Sequence, residues 1–301
     1  MPVAGGLAAR GLRYAAEVSA EAIQVFVSNP RGWTLAPGDP AQDAAFAEHV
    51  AGTGLPVFVH SSYLVNLGSP DEATVSRSAG SLRHALHRAA RIGARGVVVH
   101  TGSAVSGDRT AAMRQVRDNL LPLLEETART GGSASGGPVA SEPSLLLEPM
   151  AGQGQMLCAA IGDLGPYLDA LGWHPRIGVC LDTCHAFAAG HDLSRPGGAD
   201  RLLTDLVRAA GPGRLRLVHA NDSADRCGSR RDRHANIGSG QIGEAAFGAL
   251  LGHPVTAGVP FVVETPGKAA AQARDIAALK RLRDSPGDMR RGGRAARQSP
   301  G

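Results

Sequence analysis

Short, almost wholly apolar runs recur along the chain, separated by longer stretches of helical spacing. Seven runs have strand length: AIQVFV (22–27), PVFVH (56–60), GVVVH (96–100), LLLE (145–148), IGVCLD (177–182), LRLVH (215–219) and PFVVE (260–264). Between them, 71–92, 108–130, 198–210 and 268–283 place apolar residues three and four apart, as 7–18 does ahead of the first run. Strand and helix in alternation predict parallel strands joined by crossover helices. Runs without polar alternation predict a sheet buried on both faces. A doubly wound open sheet and a barrel both satisfy this, but no glycine-rich phosphate loop follows the first run. The expected fold class is therefore α/β, a (β/α)8 TIM barrel. Such a barrel needs eight strands and the pattern supplies seven. The first is the one lacking, because residues 1–6 lead straight into a helical pattern with no β-branched run. The expectation is a natural start upstream of this one, rather than a barrel open beside its second strand.

Composition narrows the class. At 301 residues, 43% hydrophobic and 19% charged, the chain has enough apolar surface for one large core. No apolar run reaches the ~18 residues of a membrane span, and the start has no basic region followed by an apolar stretch, so a cytoplasmic protein is expected. Cys158, Cys180, Cys184 and Cys227 fit no four-cysteine zinc spacing and are expected as reduced thiols. The net charge of +4 is concentrated at the end of the chain: Arg290, Arg291, Arg294 and Arg297, against Asp288, contribute +3 of it. The expected organisation is one catalytic barrel over 1–284, with a flexible Gly/Ser/Ala-rich insertion at 130–143 and a disordered basic tail at 285–301.

The chemistry follows from where polar residues fall. Six of the seven runs end in a residue able to bind metal: His60, His100, Glu148, Asp182, His219 and Glu264. One such group at the end of a buried strand is ordinarily a satisfied core residue. Six together are costly unless paired or coordinated, and a barrel gathers all its strand ends on one face. Three more candidates follow in loops. His185 stands three residues beyond Asp182, which turns the two groups toward neighbouring positions. Asp232 and His234, two apart, fall on one side of an extended segment. Five imidazoles and four carboxylates exceed the three protein ligands of a lone catalytic zinc and imply two or three metals. Mixed nitrogen and oxygen donors favour zinc, with manganese a candidate at one position. Clustered divalent ions suit displacement at phosphorus, so phosphoester hydrolysis leads. A metal-dependent sugar isomerase or epimerase of the same barrel type is the alternative.

At these residues the chain resembles a known family. HSSYLVNLGSP from His60, LEPMAGQG from Leu147, GVCLDTCHAFAAGHDL from Gly178 and HANDSADRCGSRRDRHANIGSGQIG from His219 are similar to endonuclease IV, the zinc-dependent family 2 of apurinic/apyrimidinic (AP) endonucleases. The resemblance runs over about residues 3–283. It implies a xylose-isomerase-like barrel with three zinc ions. It also implies cleavage of double-stranded DNA 5′ to an abasic site, giving a 3′-hydroxyl and a 5′-deoxyribose phosphate, and trimming of blocked 3′ ends.

Carried over by position, His60, His100 and Glu148 would hold one zinc, with Glu148 bridging to a second completed by Asp182, His219 and Glu264. His185, Asp232 and His234 would hold the third. Glu148 or Glu264 would accept the proton of the attacking water. Arg31, Tyr63 and Leu64 correspond to side chains that enter the minor groove where a base is missing. Asn66, Asn221 and Asp222 are expected to orient ligating histidines, and His191 is a loop residue within reach of DNA. Cys180 and Cys184 are expected in the core, and His49, His84, His87, His174 and His253 in structural positions. Neither a membrane nor an obligate protein partner is expected, and a monomer is the default. A chain lacking its first strand could also be inactive and only bind abasic DNA. The sequence departs from the family at Thr101 and Ala104, where a proline and a histidine are usual, at Pro149 and Met150, and at Ala224 and Asp225, where a lysine is common.

Overall fold

The structure, a computed structural model, describes residues 5–130 and 142–284. A wide helical turn, Leu7–Leu12, continues into α1 (Arg13–Glu17). There follow β1 (Ile23–Val25), α2 (Pro40–Thr53), β2 (Val57–His60), α3 (Glu72–Arg91), β3 (Gly96–His100) and α4 (Arg109–Thr130). After β4 (Ser144–Glu148) come α5 (Leu164–Ala170), β5 (Ile177–Asp182), α6 (Thr183–Ala188), α7 (Gly198–Ala210) and β6 (Leu215–His219). The short strands β7 (Asp222–Ser223) and β8 (His234–Ala235) precede α8 (Glu244–Leu251), β9 (Phe261–Val262) and α9 (Ala269–Asp284). Each strand read from the apolar pattern forms within two residues of its expected bounds. Helix α4 extends to Thr130, the first residue of the expected insertion; 131–141 and the tail 285–301 lie outside the described residues.

Seven strands pair in parallel in the order β1-β2-β3-β4-β5-β6-β9, the topology of a (β/α) barrel with one strand missing from its wall. Among the described residues no strand joins β9 back to β1, and a groove of about 500 Å³ lined by Ile23, Phe261, Val262 and Leu279 runs between them. The seam is spanned on its outer side by helix contacts. The Tyr14 hydroxyl hydrogen-bonds Gln272, and Glu21 pairs with Lys280 at 3.0 Å and with Arg283.

Two apolar layers position the site. The larger packs the helices against the outside of the wall, with Phe46, Leu82, Leu86, Leu124, Leu203 and Phe247 almost wholly enclosed. The smaller fills the barrel interior with Phe58, Val98, Leu146, Cys180, Leu217 and Val262, and with Ala22 packed against it. Side chains alternate between the two faces of a strand, so the residue two further along each strand also points inward. Those residues are Gln24, His60, His100, Glu148, Asp182, His219 and Glu264. The polar ring is thus the next layer up from an apolar plug, at the carboxyl ends of the strands. Pairing aligns part of it, His100 with Glu148 and Asp182 with His219, while at the other printed junctions the ring steps by two residues, Gln24 pairing with Phe58, His60 with Val98 and His219 with Val262.

Candidate metal centre

The nine residues marked by the sequence converge at the barrel mouth in three groups. His60, His100 and Glu148 form one; Glu148, Asp182, His219 and Glu264 a second; His185, Asp232 and His234 a third. Within each group the donor atoms lie within 4.8 Å of one another. Glu148 is central and wholly enclosed. Its Oε2 is 3.2 Å from His60 Nε2 and 3.5 Å from His100 Nε2, while Oε1 is 3.0 Å from His219 Nδ1 and 3.4 Å from His185 Nδ1. Glu264 Oε2 lies 3.3 Å from His219 Nδ1, and the Glu264 side chain is 20% exposed.

Asp182 has two roles. Its Oδ1 caps α6 by accepting the His185 N–H at 2.9 Å, which explains how the three-residue spacing turns His185 aside. Its Oδ2 accepts from Asn221 Nδ2 at 2.8 Å and lies 3.5 Å from His234 Nε2. Asp232 Oδ2 and Oδ1 stand 3.2 Å from His185 Nε2 and 3.0 Å from His234 Nε2, so the extended segment does present both residues to one point.

The donor set fits divalent metal. His185 Nε2 and His234 Nε2 are buried without a hydrogen-bond partner, although carboxylates surround them. Four imidazoles turn one nitrogen toward the carboxylates and anchor the other. His60 Nδ1 donates to the Ser61 carbonyl (2.8 Å), His185 Nδ1 to the Pro149 carbonyl (3.1 Å), and His234 Nδ1 to the Glu264 carbonyl (3.3 Å). His219 Nε2 donates to the Gln24 side chain (2.8 Å). Ligating histidines are commonly oriented in this way.

Without metal, burial would push the His185 and His234 imidazoles down. The carboxylates of Asp182 and Asp232 outweigh it and hold them up at about 10 and about 9. Burial prevails at His100, driven down to about 4. It would raise Glu148, but His219, His60 and His100 keep that carboxyl well below its usual range.

Above the site, the Tyr63 ring stacks on His100 (centroids 5.6 Å apart) and meets His60 edge-on, with Leu64 beside it; both are partly exposed. Tyr63 N–H and Ser62 Oγ–H donate to the Pro30 carbonyl at 3.0 and 2.9 Å. These bonds bring the loop carrying exposed Arg31 to the same rim.

Several expectations change. Asn221 braces the site through Asp182 and Glu264 rather than a histidine, its Oδ1 accepting the Glu264 N–H at 2.8 Å. Asp222 does not orient a histidine. Its carboxylate accepts five backbone N–H groups, from Ser223, Gly238, Gly240, Ile242 and Gly243, and so gathers the loop after β8. Asn66 likewise joins two loops, through the Ser103 carbonyl and the N–H groups of Gly68 and Ser103. His191, the loop residue, accepts the Ile161 N–H at 3.2 Å and is half-buried. Thr101, in place of the usual proline, donates to the Cys158 carbonyl at 2.9 Å. Asp225, where a lysine is common, lies 3.6 Å from Arg233. All four cysteines are unpaired, and burial pushes the Cys180 and Cys184 thiols up to about 12. Gln24 escaped the sequence reading; the signal was a lone amide within AIQVFV.

A parallel barrel with histidines and carboxylates on its carboxyl-terminal strand ends is a metal-binding barrel of the xylose isomerase type. The family model for xylose isomerase-like TIM barrels (AP endonuclease 2) matches residues 12–282, and the chain belongs to that family, in its endonuclease IV branch. It is 55% identical over 285 residues to "Probable endonuclease 4" of Streptomyces coelicolor, with 94% of each chain covered. The crystal structure of endonuclease IV from Thermus thermophilus superposes with a TM-score of 0.76 at 33% identity, covering 91% of this chain and 93% of that one. An L-ribulose 3-epimerase structure, at 18% identity and TM-score 0.66, covering 97% and 93%, shares the fold alone. No described helix is long and apolar enough to cross a membrane.

Proposed function

We propose that this chain is a deoxyribonuclease IV that hydrolyses the phosphodiester 5′ to abasic sites in double-stranded DNA and trims blocked 3′ ends, using three zinc ions. The carrying observation is the grouping of nine donors into three sets, two of which share Glu148. His60, His100 and Glu148 would hold one ion, Glu148 with Asp182, His219 and Glu264 a second, and His185, Asp232 and His234 a third. Bound ions would supply Lewis acidity, acidifying water and offsetting charge on the phosphate and the departing alkoxide.

The protein's own groups divide the remaining work. Glu148 is enclosed among four imidazoles and would be the ligand shared by two ions. Glu264 is partly open, and its carboxylate is the acceptor for the proton of the attacking water. Tyr63 and Leu64 stand on the rim as an apolar wedge for the space left by a missing base, with Arg31 beside them for phosphate. The catalytic unit is the barrel over 1–284, with 130–143 and 285–301 outside it. A sugar epimerase would share the inner donors but would have no use for the outer group or the wedge.

The test is metal content by mass spectrometry, run with cleavage of a duplex carrying one abasic site. Three zincs per chain, a cut on the 5′ side, and loss of both one zinc and activity in His234→Ala are expected. Turnover of a ketose without cleavage of the duplex would overturn the reading.

A further inference from the structure

The inward-facing layer at the barrel mouth has seven members, and six are the strand-end residues already assigned. The seventh is Gln24, on β1, two residues beyond the Ala22 that packs on the apolar plug. It is buried and makes two bonds into the site. Its Oε1 accepts from His219 Nε2 at 2.8 Å, and its Nε2 donates to Glu264 Oε1 at 2.6 Å.

His60, His185 and His234 are each anchored by a main-chain carbonyl, through Nδ1, so that Nε2 faces the carboxylates. His219 is turned the other way. Its Nδ1 faces Glu148 at 3.0 Å, Glu264 at 3.3 Å and Asp182 at 3.8 Å, and its Nε2 points to Gln24. A neutral imidazole carries one N–H, and only the other nitrogen has a lone pair for metal. Since Gln24 uses its NH2 group on Glu264, its carbonyl oxygen is what remains for His219, and that oxygen accepts only from Nε2–H.

From this arrangement we infer that Gln24 is a positioning residue. It fixes His219 in the Nε2–H tautomer, aims the Nδ1 lone pair at the three carboxylates, and through the same amide holds Glu264 in place. The inference rests on the metal reading above. Of the four anchored histidines, His219 is the one whose anchor is a side chain and can therefore be removed by mutation.

The test uses the zinc-loaded full chain as wild type, Gln24→Met and Gln24→Glu, with release of each zinc into excess chelator followed by a metal-sensitive dye. Gln24→Met keeps the length and loses both polar groups; one of its zincs should leave about tenfold faster. Gln24→Glu keeps an acceptor for the His219 N–H but loses the donor to Glu264, so that zinc should leave faster than from the wild type and more slowly than from Gln24→Met. In the wild type, 15N-histidine spectra should show one zinc-bound imidazole ligated through Nδ1 with its proton on Nε2. Equal release rates in wild type and Gln24→Met, or equal acceleration in both variants, would overturn the proposal. So would ligation through Nε2 at every zinc-bound histidine, which reads the point without any variant. A wild-type chain that takes up no zinc would overturn the metal reading itself, and this inference with it.

Discussion

The inner donors and the outer group at the barrel mouth are built in different ways. His60, His100, Glu148, Asp182 and His219 end neighbouring parallel strands and Glu264 follows the last by two residues, all fixed by the register of the sheet and seated on an apolar plug. His185 comes from the first turn of a six-residue helix, His234 from a two-residue strand pair, and Asp232 from the irregular segment just ahead of that strand. That outer scaffold depends on single carboxylates: Asp182 caps α6, and Asp222 collects four N–H groups of the loop after β8 besides that of Ser223. Gly240 passes so close that a Cβ there would lie 2.5 Å from Asp222 Oδ1, so a larger residue would displace the loop. The sheet thus preorganises the inner donors, whereas the outer group is assembled by side chains that can be removed one at a time.

The largest effect should come from the residue shared by both inner sets. Glu148→Gln should lower cleavage of an abasic duplex by at least ~10³-fold, with fewer than two zincs retained by mass spectrometry. His234→Ala should separate the regions, losing one zinc and roughly 10²-fold in activity while both inner ions stay. Loss of all three zincs in this variant would show that the two regions are not independent.

Asp222→Ala should act through the scaffold alone. Five N–H groups lose a common acceptor, for a destabilisation of about 3 kcal/mol in urea unfolding, with the outer zinc released first. Tyr63→Ala combined with Leu64→Ala should leave zinc content unchanged and weaken binding to abasic duplex by about tenfold, measured by fluorescence anisotropy.

The last contrast is in the metal-stripped chain, where the two regions should respond to opposite pH changes. His185 and His234 hold protons more tightly folded, at about 10 and about 9, than unfolded at ~6.5. Their contribution is full below ~6.5 and is lost as pH rises through 9 and 10. His100, driven down to about 4, contributes above ~6.5 and loses that contribution as pH falls toward 4. Urea unfolding of the stripped protein at acid, neutral and alkaline pH checks both slopes, and His185→Gln should flatten the alkaline one.

Much of this was legible in the chain itself. Apolar runs without alternation determined a sheet covered on both faces, and their polar ends marked six donors before any geometry was known. The spacing of Asp182 to His185, and of Asp232 to His234, marked the other three. Those features are local, because side-chain direction repeats every two residues in a strand and a helix start is set by its cap.

Which donors meet was decided by the fold. Register placed Glu148 among four histidines and left Glu264 open, a difference between two glutamates at strand ends that no local pattern contains. The role of Asp222 also waited on the tertiary structure, since its partners lie as far as 21 residues away in a loop of irregular backbone. Gln24 is the sharpest case. Within AIQVFV it is one amide among apolar neighbours, and its purpose emerges only where the barrel brings His219, 195 residues later, to its carbonyl. Hydrogen bonds act over about 3 Å, and contacts that distant in sequence exist only once the chain has closed around them.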